Sequence, residues 1–365
     1  MKRSDFYKGM IGAGLVAAGV SSCEKVSSKR EAPKNKAEYN WKMVTTWPPN
    51  FPIIGEVCHN ISTWVHDMSE GQMTIKIYGG GELVPALETF EAVSIGGVEI
   101  GSSASYYWAG KIKAAQFFAA VPFGLNAQQM NTWLHGSGGM ELWRALYEPY
   151  NLIPFNGGNT GFQMGGWYNR EMNTIDDFKG LKMRIPGLGG RVLKKVGGTP
   201  ILSPGSEIYT NLERGVIDAT EWLGPYHDSM MGFPDIAEYY YYPGWHECGT
   251  TLELIVNRDK FNALPKHLQT ILSSAFDRSR SWVLEQFEAK NAEALEKIEQ
   301  AGKVKIRPFS KEIIEELKLK TKETLEALAS SDKDTAKVYE AFKIFKNKMK
   351  GWSDLSENAY YSILQ

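Results

Sequence analysis

Gly205-Ser-Glu-Ile-Tyr-Thr-Asn-Leu-Glu-Arg-Gly-Val-Ile-Asp218 runs from a glycine through an amphipathic helical pattern to a second glycine, two apolar residues and an acid. The same plan occurs earlier, in Gly81-Glu-Leu-Val-Pro-Ala-Leu-Glu-Thr-Phe-Glu-Ala-Val-Ser-Ile-Gly-Gly-Val-Glu99. A helix, glycine and strand unit used twice favours two similar lobes over one large sheet. At 365 residues the chain also exceeds the size at which one core usually stays single.

Around these units, strand patterns alternate with helical ones. Residues 41–46 read as a strand, 54–68 as an amphipathic helix, 73–78 as an alternating strand, 82–94 as a helix and 97–100 as a short strand. The alternation predicts an α/β fold with parallel sheets in two Rossmann-like lobes. The glycine-rich run 156–161, entering a strand at 162–167, reads as a passage between lobes, and the aromatic run 239–245 reads as the passage back. The expected layout is 39–158 plus 243–285 for the first lobe, 159–242 plus 286–330 for the second, and a helical arm over 331–365. Two crossings make a hinge with a cleft between the lobes, and ligands favour such clefts at the carboxyl ends of parallel strands. Residues 264–300 form one helical pattern stopped by Gly302, roughly 55 Å at 1.5 Å per residue, long enough to run behind both lobes. Ser310 is placed to cap a further helix through 328. A last helix over 333–349 puts Val338, Phe342 and Phe345 on one face.

Charge is balanced, 41 Lys and Arg against 42 Asp and Glu, which argues against a nucleic-acid or anionic-membrane surface. The first residues combine a basic stretch with a small, apolar run over 9–20, the pattern of an export signal over 1–23. Val20-Ser-Ser-Cys23 resembles a bacterial lipobox, with Cys23 as the lipidated residue and membrane tether. Lys2-Arg3-Ser4-Asp5-Phe6 resembles a twin-arginine export motif with Lys in the first position. Residues 24–38 lack apolar periodicity and read as a disordered tether. Cys58 and Cys248 are the remaining cysteines, and an oxidising compartment permits either a disulfide or two free thiols.

Most catalytic signatures are missing. Gly187-Leu-Gly-Gly190 opens a helix, but Val192 occupies the place of the third glycine in a dinucleotide fingerprint. His59, His66, His135, His227, His246 and His267 show none of the spacings of zinc proteases, so each reads as structural or exposed. What remains is Gln163, Arg184, Glu221, Trp222 and Glu247. An arginine near the end of the strand Leu181-Lys-Met-Arg-Ile185 is either edge-exposed or aimed into the cleft, where it would fork onto a carboxylate. Glu221 and Glu247 lie in stretches rich in aromatics and glycine, Glu221-Trp-Leu-Gly224 and Pro243-Gly-Trp-His-Glu247. Two such acids in a dry cleft repel unless a hard cation sits between them. The rivals are two solvated surface acids, or a carboxylate pair for hydrolysis or lyase chemistry. A structural or adhesion lipoprotein is a further alternative.

From Trp41 to about Phe309 the chain resembles the solute-binding proteins of tripartite ATP-independent periplasmic (TRAP) transporters. The resemblance rests on Gly80-Gly-Glu-Leu-Val-Pro85, Gly157-Gly-Asn-Thr-Gly161, Gln163-Met-Gly-Gly-Trp167, Leu181-Lys-Met-Arg-Ile185, Gly215-Val-Ile-Asp-Ala-Thr-Glu-Trp222 and Tyr239-Tyr-Tyr-Tyr-Pro-Gly-Trp245. It implies a periplasmic-binding-protein-like fold, no enzyme activity, delivery to a membrane permease, and a pyruvate- or lactate-like 2-oxo or 2-hydroxy monocarboxylate bound with Na⁺ or Ca²⁺. By the same resemblance Arg184 would grip the ligand carboxylate, while Gln163, Glu221, the Trp222 carbonyl and Glu247 would hold the cation. Tyr106 and Tyr107 would line the pocket, Phe123 would cover the apolar end of the ligand, and the C-terminal helices would dimerise. His246 departs from the pattern, standing where an aromatic is expected.

Overall fold

The structure, a computed structural model, describes residues 38–364. The expected export signal, the Cys23 lipidation site and nearly all of the tether lie outside the described residues. The strands are β1 Tyr39–Thr45, β2 Met73–Tyr78, β3 Ile100–Ser103, β4 Leu152–Asn159, β5 Gly166–Tyr168, β6 Lys182–Arg184, β7 Thr199–Ile201, β8 Ala219–Thr220, β9 Tyr239–Tyr242, β10 Thr251–Asn257 and β11 Lys305–Pro308.

They form a five-stranded sheet, β2-β1-β3-β10-β4, and a six-stranded one, β7-β6-β8-β5-β9-β11. Read side by side, the first five positions have the same plan. The duplicated unit occupies the same slot in both: β3 follows its helix and lies parallel to β1, and β8 follows its helix and lies parallel to β6. The expectation of wholly parallel sheets is corrected at the fourth position. There β10 runs antiparallel to β3 and β4, and β5 runs antiparallel to β8 and β9. Both are strands that have just crossed from the other sheet. A helix crossover returns the chain to deliver a parallel strand, whereas these segments arrive directly and keep their direction.

The two crossings, 160–165 and 243–250, are zipped together. Thr160 N–H donates to the Thr250 carbonyl at 3.0 Å, Gly165 N–H to Tyr241 at 2.7 Å, and Gly244 N–H to Gln163 at 3.1 Å. Backbone pairing between the crossings makes a two-stranded hinge. A third crossing is the helix Lys266–Ala301, which ends at Gly302 in the left-handed region and delivers β11 to the edge of the second sheet. Its buried stripe runs from Leu268 through Phe276 and Phe287 to Ile298. It packs on the helix Glu56–Met68 and on β4 near one end, and on the helix Pro225–Met230 farther along.

The helical pattern over 82–94 is broken into a short turn at Ala86–Glu88 and the helix Thr89–Ser94. Pro85 lacks an N–H and precedes the turn, so the preceding residues cannot be its first coil. Ser310 caps Lys311–Ser330 by accepting from Ile313 N–H, and Asp332 caps Lys333–Leu355 by accepting from Thr335 N–H. The last long helix lies against the first lobe, with the Phe342 ring 5.2 Å from Trp133 and 6.1 Å from Phe117. Among the described residues Cys58 and Cys248 form no disulfide.

Candidate functional site

The carboxyl ends of three parallel strands converge between the lobes. β3 leads into the turn Ser105–Trp108 with Tyr106 and Tyr107, β6 ends on Arg184, and β8 leads directly into Glu221 and Trp222. The hinge adds Gln163 from one crossing and His246 and Glu247 from the other. Arg184, Glu221, Trp222, Gln163, His246 and Glu247 are all buried.

Arg184 is the last residue of a central strand, flanked by β7 and β8, so it faces the cleft instead of a sheet edge. Its Nη1 donates to Glu221 Oε1, and its Nη2 lies 3.4 Å from the Tyr107 hydroxyl, which links the lobes. The guanidinium sits 5.0 Å from the centre of the Trp222 ring. Its Nε has no hydrogen-bond partner among the described residues. Burial opposes the guanidinium charge, but Glu221 and then the tyrosine hydroxyls offset it, so Arg184 is held charged above its ordinary range. Burial raises both Tyr106 and Tyr107, which keeps them neutral donors.

Gln163 and Glu247 meet across the hinge. Gln163 Nε2 donates to Glu247 Oε2 at 2.9 Å and also lies 3.2 Å from the Thr160 and Thr250 hydroxyls. Thr250 donates to the same Glu247 oxygen. Gln163 Oε1, buried, has no hydrogen-bond partner among the described residues. Burial, and then the charge of Glu221, push the Glu247 carboxyl up to about 7. One ligand atom each from Glu221, His246 and Glu247 lies within 4.8 Å of the others. Two mutually repelling carboxylates, one of them hydrogen-bonded to an amide whose oxygen is unpartnered, fit a hard cation, which takes oxygen donors at ~2.3–2.6 Å. The expected donors Gln163, Glu221 and Glu247 are thus brought together, with Trp222 next in the chain to Glu221.

Trp222 is held from two sides. The Phe51 ring of the first lobe meets it edge-on at 6.1 Å, and a Cβ on Gly205 would come within 2.5 Å of its ring. Only glycine leaves that space. The following loop is tied down by Asp228, which accepts from Leu223 N–H and Gly224 N–H, from Trp167 Nε1 and from Tyr240.

Phe123 belongs to the first lobe but packs against the buried cluster of the second, 6.3 Å from the Trp245 ring. It adopts φ 53°, its N–H donates to the Trp245 carbonyl at 2.9 Å, and its carbonyl accepts from Lys346 Nζ on the C-terminal helix. Pattern reading misses Thr250, Asp228 and Lys346. It also places His246 among structural residues, although the adjoining Glu247 is a signal that this imidazole enters the same cluster. A surface groove of about 770 Å³, lined in part by Arg144, Phe155 and Phe261, lies away from these residues.

Residues 43–332 match the family model of bacterial extracellular solute-binding protein family 7. A monocarboxylate 2-oxoacid-binding periplasmic protein of Nostoc sp. strain PCC 7120 is 40% identical over 361 residues, 99% of this chain and 98% of the relative. Among solved structures, a TRAP periplasmic solute-binding protein of Pseudoalteromonas atlantica T6c with bound sodium and pyruvate is 41% identical. It superposes with a TM-score of 0.87 over 89% of this chain and 99% of that one. One of Colwellia psychrerythraea with bound calcium and pyruvate is 42% identical, with the same TM-score and the same coverage. With the two-lobed fold, the hinge and the buried cluster between the lobes, these likenesses establish that the chain belongs to family 7 of the bacterial extracellular solute-binding proteins, those that serve TRAP transporters.

Proposed function

We propose that this periplasmic protein binds a small 2-oxo or 2-hydroxy monocarboxylate, pyruvate- or lactate-like, together with Na⁺ or Ca²⁺, and presents it to a TRAP permease. The observation that carries the reading is the juxtaposition of a charged, buried Arg184 with Glu221 and Glu247 across one hinge. The pyruvate-bound relatives with sodium and with calcium support the ligand and cation class.

Arg184 holds the ligand carboxylate, using the Nε that no described residue bonds, while Tyr106 and Tyr107 supply neutral hydroxyls beside it. Gln163 Oε1, Glu221, the Trp222 carbonyl and Glu247 hold the cation, which supplies positive charge for the ligand's carboxylate and 2-oxygen. Two carboxylates of the protein and one of the ligand are then offset by one arginine and the cation, which a dry cleft requires. Phe123 and Trp245 close over the apolar end. Because ligand contacts come from both lobes and the hinge, the closed state binds better than the open one, and closure is what a permease can read. No bond is made or broken.

Two further assignments are part of the reading. Cys23 is lipidated and tethers the protein. The C-terminal helix forms a homodimer through its outward face, where Ile344, Trp352 and Leu355 are exposed although the opposite face is buried in the first lobe.

Calorimetric titration of the metal-stripped protein with pyruvate, lactate and longer 2-oxo acids, with and without Na⁺ or Ca²⁺, tests the ligand assignment. Cation-dependent binding, lost in Arg184→Ala, with the acid recovered unchanged, is the expected result. Absence of binding by every acid, or consumption of the acid, defeats it.

A further inference from the structure

His246 belongs to the hinge crossing between Trp245 and Glu247, and its side chain is fully enclosed. The Trp245 ring stands at 71° to it, 5.6 Å away, and a Cβ on Gly189 would come within 3.0 Å of the His246 Cβ. The imidazole is therefore enclosed beside Trp245, with the Gly189 backbone close against its Cβ. Its Nε2 lies 3.4 Å from Glu221 Oε2, yet neither ring nitrogen has a hydrogen-bond partner among the described residues. A buried polar atom left unpaired is unfavourable, so both ring nitrogens call for a partner, and an ion is one that an imidazole beside two carboxylates can take.

The spacing fits a shared ion, and the donor types say which. Donor atoms sharing a first-row ion at ~2.0–2.1 Å lie roughly 3.0–3.4 Å apart when adjacent. The 3.4 Å between His246 Nε2 and Glu221 Oε2 falls in that span. Glu247 completes a set of three whose atoms lie within 4.8 Å of one another, and Gln163, whose Nε2 donates to Glu247, carries a buried Oε1 with no hydrogen-bond partner among the described residues. Sodium and calcium take oxygen donors and gain little from an imidazole. First-row transition dications gain a great deal, and mixed imidazole and carboxylate sets suit them.

We propose that His246 Nε2 is a metal ligand, and that it extends the cation range of this cleft from Na⁺ and Ca²⁺ to first-row dications such as Mn²⁺, Co²⁺ or Zn²⁺. This rests on the preceding assignment of Glu221 and Glu247 to the cation. The ligand acid is unaffected in kind, because a 2-oxo acid chelates such dications through the same carboxylate and 2-oxygen. If His246 instead only donates a hydrogen bond to Glu221, replacing it changes affinity for all cations alike and leaves their ranking intact.

The test uses metal-stripped protein and its variants His246→Phe, which keeps an aromatic of similar size, and His246→Gln, which exchanges the nitrogen donor for an oxygen. Co²⁺ is titrated alone and followed by visible absorption. Mn²⁺ and Ca²⁺ affinities are then compared by calorimetry, each with and without pyruvate. The expected result is one Co²⁺ per chain with a band that shifts or vanishes in both variants, and a ratio of Mn²⁺ to Ca²⁺ affinity at least tenfold lower in the variants than in the parent. Failure of either variant to fold leaves the other to decide. An unchanged ratio, an unchanged Co²⁺ band, or no Co²⁺ binding by the parent overturns the proposal. Co²⁺ binding that depends on His246, with no response to any 2-oxo acid, leaves the metal ligand standing and removes the acid.

Discussion

Arg184 Nη1 donates to Glu221 Oε1 in a closed cleft where each side chain is 1% exposed. The pair joins the group expected to hold an anion to a group expected to hold a cation, so each compensates the other within the protein. Breaking a buried pair by removing one member costs about 3–5 kcal/mol, whereas replacing both with apolar groups is close to neutral. Arg184→Met should therefore lower the unfolding free energy by about that amount in a urea titration. The double variant Arg184→Met with Glu221→Met should recover most of it and still bind no pyruvate in calorimetry. Full recovery of binding in the double variant is incompatible with the assigned roles.

Gly205 opens the helix Gly205–Glu213, and its Cα lies against the Trp222 ring. Gly205→Ala must displace that ring, whose centre lies 5.0 Å from the Arg184 guanidinium. Overpacking of this kind costs about 1–3 kcal/mol. We expect a lower melting temperature together with weaker pyruvate binding, measured on the same preparation. A melting temperature equal to that of the parent contradicts the close approach.

Lys346 reaches from the C-terminal helix to the carbonyl of Phe123, a non-glycine residue held at φ 53°. A hydrogen bond from a charged donor contributes about 1.5–3 kcal/mol. Lys346→Met should loosen Phe123 and its contact with Trp245, and so weaken binding of 2-oxo acids by about tenfold through faster release. The requirement for a cation should persist, since Lys346 touches none of the cation donors. Stopped-flow dissociation of pyruvate distinguishes this from a general loss of stability.

Glu253 is buried in β10, accepting from Trp108 Nε1 and, at 2.9 Å, from the Tyr147 hydroxyl. Burial outweighs those two hydrogen bonds and pushes its carboxyl up to about 7 from 4.5. Between these values the native protein keeps a proton that the unfolded chain releases. Its contribution to stability is thus fully present below about pH 4.5, declines as pH rises to about 7, and is constant above that. The span corresponds to on the order of 3 kcal/mol at 1.36 kcal/mol per unit. Glu253→Gln should flatten the pH profile of unfolding free energy between pH 4.5 and 7. An identical slope in parent and variant would show that Glu253 does not titrate there; Glu247 and Asp228 contribute in both.

Some of this molecule is readable from local sequence because the physics involved is local. The repeated helix, glycine and strand unit, the helix over 264–300 with its Gly302 stop, and the Ser310 cap all follow from side-chain periodicity and from backbone groups satisfied within a few residues. Arg184 at the end of a strand, and Glu221 beside Trp222, are visible in the same way, and the family motifs name Gln163 and Glu247 as their companions. Pairing across long separations is not encoded in any local period. The antiparallel entry of β5 and β10, the meeting of Gln163 with Glu247 from 84 residues apart, and the grip of Lys346 on Phe123 from 223 residues apart arise only when the two crossings zip and the lobes close. Burial also depends on that closure. It enclosed His246, left its nitrogens unpaired and raised Glu247, because desolvation depends on everything packed around a group and not on its neighbours in the chain.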